Sequence, residues 1–235
     1  MSAFEDLALL PANFSGRVRL FPLPNLVLFP HVMQPLHIFE PRYRELLEDA
    51  LADDHLIAMA TLAPGWERDY EGRPPLCPVA CLGRIATHYR LDDGTYNVLL
   101  LGLRRIRLLR ELPPQRSFRI AEVEVCEDQS PPQEAAARAR LQRKLREAFV
   151  RILPVLRDTG GDGSFVLENN VSLGVLTDVI SYMLGIGLAE KERLLGEINV
   201  YRRAKLLLEH LLAAAAEQAH RRPTAGRFPP LFSAN

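Results

Sequence analysis

A change of hydrophobic period near residues 127–133 constrains this chain more than any other feature. Up to Cys126 the sequence runs in short apolar stretches punctuated by proline, and from Gln133 onward apolar residues recur at helical spacing. A period of about 2 belongs to strands and about 3.6 to helices. The chain therefore divides into a β-rich unit, residues 15–127, and a helical unit, residues 128–220, with 221–235 read as a flexible tail. In the first unit Arg17–Phe21, Gln34–Ile38, His55–Leu62, Val79–Leu91, Tyr96–Leu101, Arg104–Leu112 and Phe118–Val125 read as strands. Phe118, Ile120, Val123 and Val125 alternate with Arg119, Glu122 and Glu124, and the slip of phase at Ala121 predicts a bulge there. Asp93-Gly94 between two apolar runs predicts a hairpin, because Gly tolerates the positive φ of a tight turn.

One helix interrupts these strands. It starts at Glu40-Pro41, where Pro loses no intrahelical bond, and presents Tyr43, Leu46, Leu47, Ala50 and Leu51 on one face. Closely spaced antiparallel strands with a single crossover helix predict a small barrel-like or strongly curved sheet, with Gly83 and Gly102 at bends or bulges. In the helical unit, Ser130 and Gln133 have capping-box spacing with Pro131 at the first helical position. Leu141, Leu145, Phe149, Ile152 and Leu156 form the following stripe, which Gly160-Gly161-Asp162-Gly163 breaks. Two helices follow Ser172, the last capped by Asn199, with Val200, Ala204, Leu207 and Leu211 buried opposite Arg203, Lys205 and Glu209. The apolar window from Ser172 to Ala189 approaches membrane-spanning length. It contains Asp178 and three glycines, and Leu173, Leu176, Ile180, Met183 and Leu184 recur at helical spacing, so it reads as a buried core helix.

Composition narrows the function classes. Lys+Arg and Asp+Glu are both 29, so no excess of positive charge is available for a phosphate backbone, and nucleic acid is not expected as a main partner. With 48% hydrophobic and 25% charged residues the chain reads as a folded globular protein without a membrane span. Three cysteines rule out a complete disulfide framework, and the first residues carry Glu5 and Asp6 rather than a basic segment before an apolar run. The expected location is the cytoplasm.

Motifs for catalysis are missing. The three lysines, Lys144, Lys191 and Lys205, never follow Gly, so a Walker-type phosphate loop is excluded. Cys77, Cys81 and His88 offer zinc-ligand types, but a fourth ligand at standard spacing is missing and Cys81 lies in an apolar run, so no metal or other cofactor is expected. No G-x-S-x-G elbow occurs, and His31 and His37 have no local catalytic partner in sequence. What remains is the long loop from Ala63 to Pro75, which holds the single Trp of the chain. Trp66, Tyr70 and Arg73 on it are the residue types that dominate binding hot spots, and they are the candidate binding residues.

The stretch Arg19-Leu20-Phe21-Pro22-Leu23-Pro24-Asn25-Leu26-Val27-Leu28-Phe29-Pro30, followed by Gln34-Pro35-Leu36-His37-Ile38-Phe39-Glu40-Pro41-Arg42-Tyr43, resembles the Lon amino-terminal domain family. The resemblance continues through Gly83-Arg84-Ile85, Asp93-Gly94-Thr95 and Leu101-Gly102-Leu103-Arg104-Arg105-Ile106-Arg107-Leu108, and into the terminal helices, covering residues 15 to 215. It implies an α+β fold: a β-strand pseudo-barrel with one crossover helix, then a C-terminal α-helical bundle. Of the motif residues, Pro22, Pro24, Pro30 and Pro35 would fix φ and limit strand pairing. Phe29 and Phe39 would supply buried area, and Gly83 and Gly102 would permit close backbone approach. Glu40, Arg42, Tyr43 and Arg105 complete a set read as structural. The family's ATPase and Ser-Lys protease modules would begin where this chain ends, so the expectation is a non-enzymatic module. It would bind polypeptides or unfolded proteins, on behalf of a protease or chaperone, as a monomer or weak homodimer. The alternatives are a small-ligand sensor between the two units and a hydrolase centred on His31 or His37.

Overall fold

The structure, a computed structural model, describes residues 9–70, 72–130, 135–158 and 171–221. The expected capping residues Pro131 and Gln133, the glycines at 160–163, the side chain of Leu156 and the segment beyond 221 lie outside the described residues. Among the described residues six strands and five α-helices follow in order: β1 (Arg17–Leu23), β2 (Met33–Ile38), α1 (Pro41–Leu51), β3 (Leu56–Thr61), β4 (Val79–Arg90), β5 (Tyr96–Glu111), β6 (Arg119–Cys126), α2 (Ala135–Asp158), α3 (Leu173–Met183), α4 (Leu188–Gly196) and α5 (Val200–Arg221).

The strands form one mixed sheet in the order β2-β5-β4-β3-β1-β6, and β6 also pairs with the C-terminal half of β5. The sheet thus curls back on itself as a pseudo-barrel, with β2 left on the N-terminal half of β5. Only β1 and β3 run parallel, because α1 crosses over between β2 and β3. Alternation along the strands builds two cores. Leu20, Leu56, Ala58, Ala60, Ala80, Leu82, Leu103, Ile106 and Ala121 fill the inside of the curl, where small residues match the tight curvature. Ile57, Met59, Cys81 and Leu100 face the other way and share a second core with α1, Leu141, Leu145, Phe149, Leu176, Ile180, Leu207 and Leu211. β3 is buried on both faces, which explains its unbroken apolar run.

The close approach that Gly102 permits is real: a Cβ there would stand 2.1 Å from the carbonyl oxygen of Phe29, and one at Gly83 would meet Leu100 at 2.8 Å. These glycines face each other across β4 and β5, where the register shifts between Leu82 and Gly83. Pro22 sits within β1 opposite Ala60. At the β4–β5 hairpin Gly94 has φ of 80° and Leu91 N–H bonds to Thr95 O at 2.9 Å.

Several sequence readings need correction. The two stretches on either side of Leu101-Gly102-Leu103 are one strand, β5, because Gly102 admits the Phe29 carbonyl without breaking the ladder. The bulge expected at Ala121 sits on the partner strand instead, between Leu108 and Arg110. On β6 the buried residues are Arg119, Ala121, Val123 and Cys126, whereas Ile120 packs toward the helical core, so both faces of that strand are covered and its pattern misleads. Three helices follow Ser172, since the short α4 is fixed by packing of Leu194 and Leu195. Phe39, expected inside, is 61% exposed. Arg203, expected on the solvent face of α5, is fully buried. Among the described residues no helix is long and apolar enough to cross a membrane.

Candidate functional site

Arg203 and Arg105 form the seam between the curled sheet and the helices. Arg105, on β5, donates from Nη1 to Asp178 Oδ2 at 3.1 Å, from Nη2 to Asp178 Oδ1, and from Nε to Leu195 O at 2.8 Å. Arg203, on α5, donates from Nη2 to Asp128 Oδ2 at 2.6 Å and lies 3.2 Å from Asp178 through Nε. Two guanidinium groups are thereby matched by two carboxylates, one on α3 and one in the joint before α2. Burial alone would depress the Arg105 guanidinium, but Asp178 and Asp128 outweigh it and hold it above its ordinary value. The structural reading of Arg105 thus acquires a partner set drawn from α3, α4 and the joint before α2.

This rigid seam supports two surfaces. The first is the outer face of the arm formed by β2, β5 and β4. Register places Pro35, Leu99 and Thr87 in one cross-strand row and His37, Asn97 and Tyr89 in the next. A depression of about 490 Å³ runs over these rows, and its lining includes none of Asp, Glu, Lys or Arg. Tyr89 is 67% exposed, and the Phe39 ring stacks on His37 with centroids 6.0 Å apart. His37 Nδ1 lies 3.0 Å from Asn97 Oδ1, an amide rather than a nucleophile. The free edge of β2 is blunted: Pro35 has no N–H to offer, and Gln34 Nε2 donates to the Pro35 carbonyl at 2.7 Å. The face, not the edge, is the surface left open by this arm.

The second surface is a cleft of about 280 Å³ between α1, the 62–78 loop and the β5–β6 connection. Tyr70 and Arg73 line it together with Arg42, Tyr43, Arg116 and Arg119. Trp66 begins a single 3₁₀ turn, Trp66–Arg68, and meets Tyr70 edge-on at 5.5 Å without reaching the cleft lining. Glu40, at the helix start, organises the wall. It accepts from Tyr70 Oη at 2.9 Å and from Arg42 Nε at 3.0 Å, while the Arg42 guanidinium sits 4.7 Å from the Tyr43 ring centre and 5.0 Å from that of Tyr70. Burial raises the Tyr70 phenol, and the Glu40 bond adds to it. Burial likewise pushes Tyr43 far up, and its hydroxyl donates to Pro22 O at 3.2 Å. On the opposite side, behind the lining, Glu111 accepts from Arg119 Nε at 2.8 Å and from Arg73 Nη2 at 3.2 Å.

The two surfaces meet in the chain at Phe39-Glu40, one residue facing each. The sequence signalled Trp66, Tyr70 and Arg73 but not Phe39, Tyr89, Arg116 or Arg119. The alternating pattern of β2, β4 and β5 contained the signal for Tyr89 and Leu99, since register alone puts them beside Pro35 and His37.

Other candidate ligands are dispersed. Cys81 is fully buried against Gly102, and burial drives its thiol strongly upward. Cys77 faces Glu192, and burial with that carboxylate pushes it up to about 11. His88 is at the exposed far end of β4. Among the described residues no group of three or more His, Cys, Asp or Glu is placed to hold a metal ion. His31 borders a separate depression beside Arg104 and Arg105, where burial lowers its basicity.

Comparison with known proteins fits this architecture. The family model described as the ATP-dependent protease La (LON) substrate-binding domain matches residues 17–213. Lon protease of Anaeromyxobacter dehalogenans (strain 2CP-C) is 27% identical over 194 residues, which are 82% of this chain and 22% of that protein. Lon protease 2 of Desulfotalea psychrophila (strain LSv54 / DSM 12343) is 30% identical over 193 residues, 82% of this chain and 24% of that protein. The chain thus spans less than a quarter of the length of the curated relatives it matches. Among solved structures, the N terminal domain of Mycobacterium avium complex Lon protease superposes with a TM-score of 0.62 at 16% identity, covering 83% of this chain and 98% of that one. The Lon N-terminal domain protein from Xanthomonas campestris gives 0.57 at 23% identity, covering 84% and 97%. The chain belongs to the family of the ATP-dependent protease La (LON) substrate-binding domain.

Proposed function

We propose that this chain is a non-enzymatic module that captures extended, apolar polypeptide segments for a proteolytic or chaperone system. The observation that carries this reading is the uncharged outer face of the β2–β5–β4 arm, with Phe39 and Tyr89 exposed on it. An exposed apolar face of this kind is unusual on a sheet turned to solvent, where alternation normally puts polar side chains. The family description as a substrate-binding domain supports the same reading, as does the name Lon protease on the relatives. Trp66, Tyr70 and Arg73 extend the surface past Phe39-Glu40 as aromatic and cationic anchors. The chemistry is reversible burial, and no proton or electron moves.

Titration of the full chain with a fluorescent, unstructured apolar peptide, read by anisotropy, tests this. Replacing Phe39 and Tyr89 by Ser should weaken binding by about thirtyfold, the loss expected for a pair of exposed aromatic hot spots, with an unchanged melting temperature. Trp66→Ala with Tyr70→Ala should weaken it further. Undiminished affinity in both pairs of variants would refute the assignment.

A further inference from the structure

Four arginines of the 280 Å³ cleft come from separate elements: Arg42 from α1, Arg73 from the 62–78 loop, Arg116 from the β5–β6 connection and Arg119 from β6. Among the described residues no carboxylate lines the cavity. The acids that hold these arginines stand outside the lining: Glu40 for Arg42, Glu111 for Arg73 and Arg119, and Asp49, 3.5 Å away, with Glu45, 4.0 Å away, for Arg116. The four guanidinium groups thus line the cavity while their acids stand behind it, so what the cavity offers a ligand is chiefly hydrogen-bond donors. The rest of the lining is mostly apolar or aromatic, Tyr43, Tyr70 and Phe118 with Pro22 and Pro74, and Ser117 gives its hydroxyl to Glu45. Arginine forks match the planar carboxylate, and the rings match an apolar body attached to it.

We propose that this cleft recognises a carboxylate carried on an apolar side group, and that its source is the free C-terminus of a captured polypeptide. This rests on the polypeptide-binding reading and adds polarity to it: the end of the segment is seated in the cleft, and the preceding residues run past Glu40-Phe39 onto the uncharged arm. Arg73 and Arg116 are the adjustable contacts, because both are partly exposed and each keeps donors that no hydrogen bond among the described residues uses. Arg119 is fully committed to Glu111 and Pro74 O and shapes the wall.

The test uses the full chain and one short unstructured peptide ending in phenylalanine, made as the free acid and as the amide. The free acid should bind about tenfold more tightly, the gain of one charge-assisted contact in a half-exposed site. That advantage should vanish in R73Q/R116Q, in which acid and amide bind alike. Equal affinity for acid and amide would overturn the carboxylate site and leave polypeptide binding standing. If neither peptide bound, the polypeptide reading would fall, and N-acetylphenylalanine would decide the cleft by itself. Saturable binding lost in R73Q/R116Q would keep the carboxylate chemistry and overturn its polypeptide source. No binding would overturn the site. Displacement of the peptide acid by inorganic phosphate at equal concentration would overturn the selectivity for carboxylate.

Discussion

Replacing Asp178 by Asn removes one charge from the seam and leaves its shape nearly intact. The wild-type carboxylate is buried and faces Arg105 and Arg203 together. In Asp178→Asn the two guanidinium groups retain only Asp128, whose side chain is 35% exposed, so one positive charge remains without a buried partner. Breaking a buried pair in this way costs about 3–5 kcal/mol, and the partial access of water through Asp128 puts this case near about 3. For a chain of this size each kcal/mol lowers the melting temperature by about 2–4 °C, so the expected drop is about 6–12 °C. Thermal and urea unfolding followed by circular dichroism measure it, and both transitions should shift together. Replacing Arg105, Asp178 and Arg203 jointly by Met, Leu and Met should recover most of the loss, because the charge then left without these partners, Asp128, is 35% exposed and water can solvate it. A drop below about 2 °C in Asp178→Asn, or a triple variant less stable than the single one, would refute the charge-balance argument.

Two further perturbations address other parts of the fold. Gly102→Ala places a methyl group 2.1 Å from Phe29 O, where backbone must move, so a loss of about 3 kcal/mol or more is expected in urea titrations, and a change near zero would show that the approach is not tight. Glu192 is raised by burial, which outweighs the opposing neighbours Thr61 and Cys77, and its Oε1 has no partner. An acid raised in the folded state favours folding when protonated, so its contribution declines as pH climbs from the ordinary Glu range near about 4.3 through the raised value. Glu192→Gln should therefore raise the melting temperature at pH about 8 more than at pH about 4.5, and an equal effect at both would contradict the burial argument.

What the sequence disclosed depended on how local each feature is. The Glu40-Pro41 helix start, the Asp93-Gly94 turn, the helix start after Ser172 and the Asn199 cap are set within a few residues, and each is where its pattern put it. Arg203 and Phe39 went astray because their surroundings come from elsewhere in the chain. A charged residue between apolar positions on a helix reads as solvent-facing unless its buried counter-ions are known, and Asp178 and Asp128 lie 25 and 75 residues away. Phe39 follows an apolar strand and reads as core, but the strand ends there and α1 turns the chain away. Trp66, Tyr70 and Arg73 stood out by residue type, whereas Arg116 and Arg119 join them only through the pairing of β6 with β1 and β5.

Hydrogen exchange of the full chain, with and without a saturating unstructured apolar polypeptide, tests the central claim most directly. Protection should concentrate on residues 33–40, 87–99 and the 66–73 loop, the segments that carry the uncharged arm and the cleft. Protection confined to α2 and α5, or none at saturation, would contradict capture by this surface.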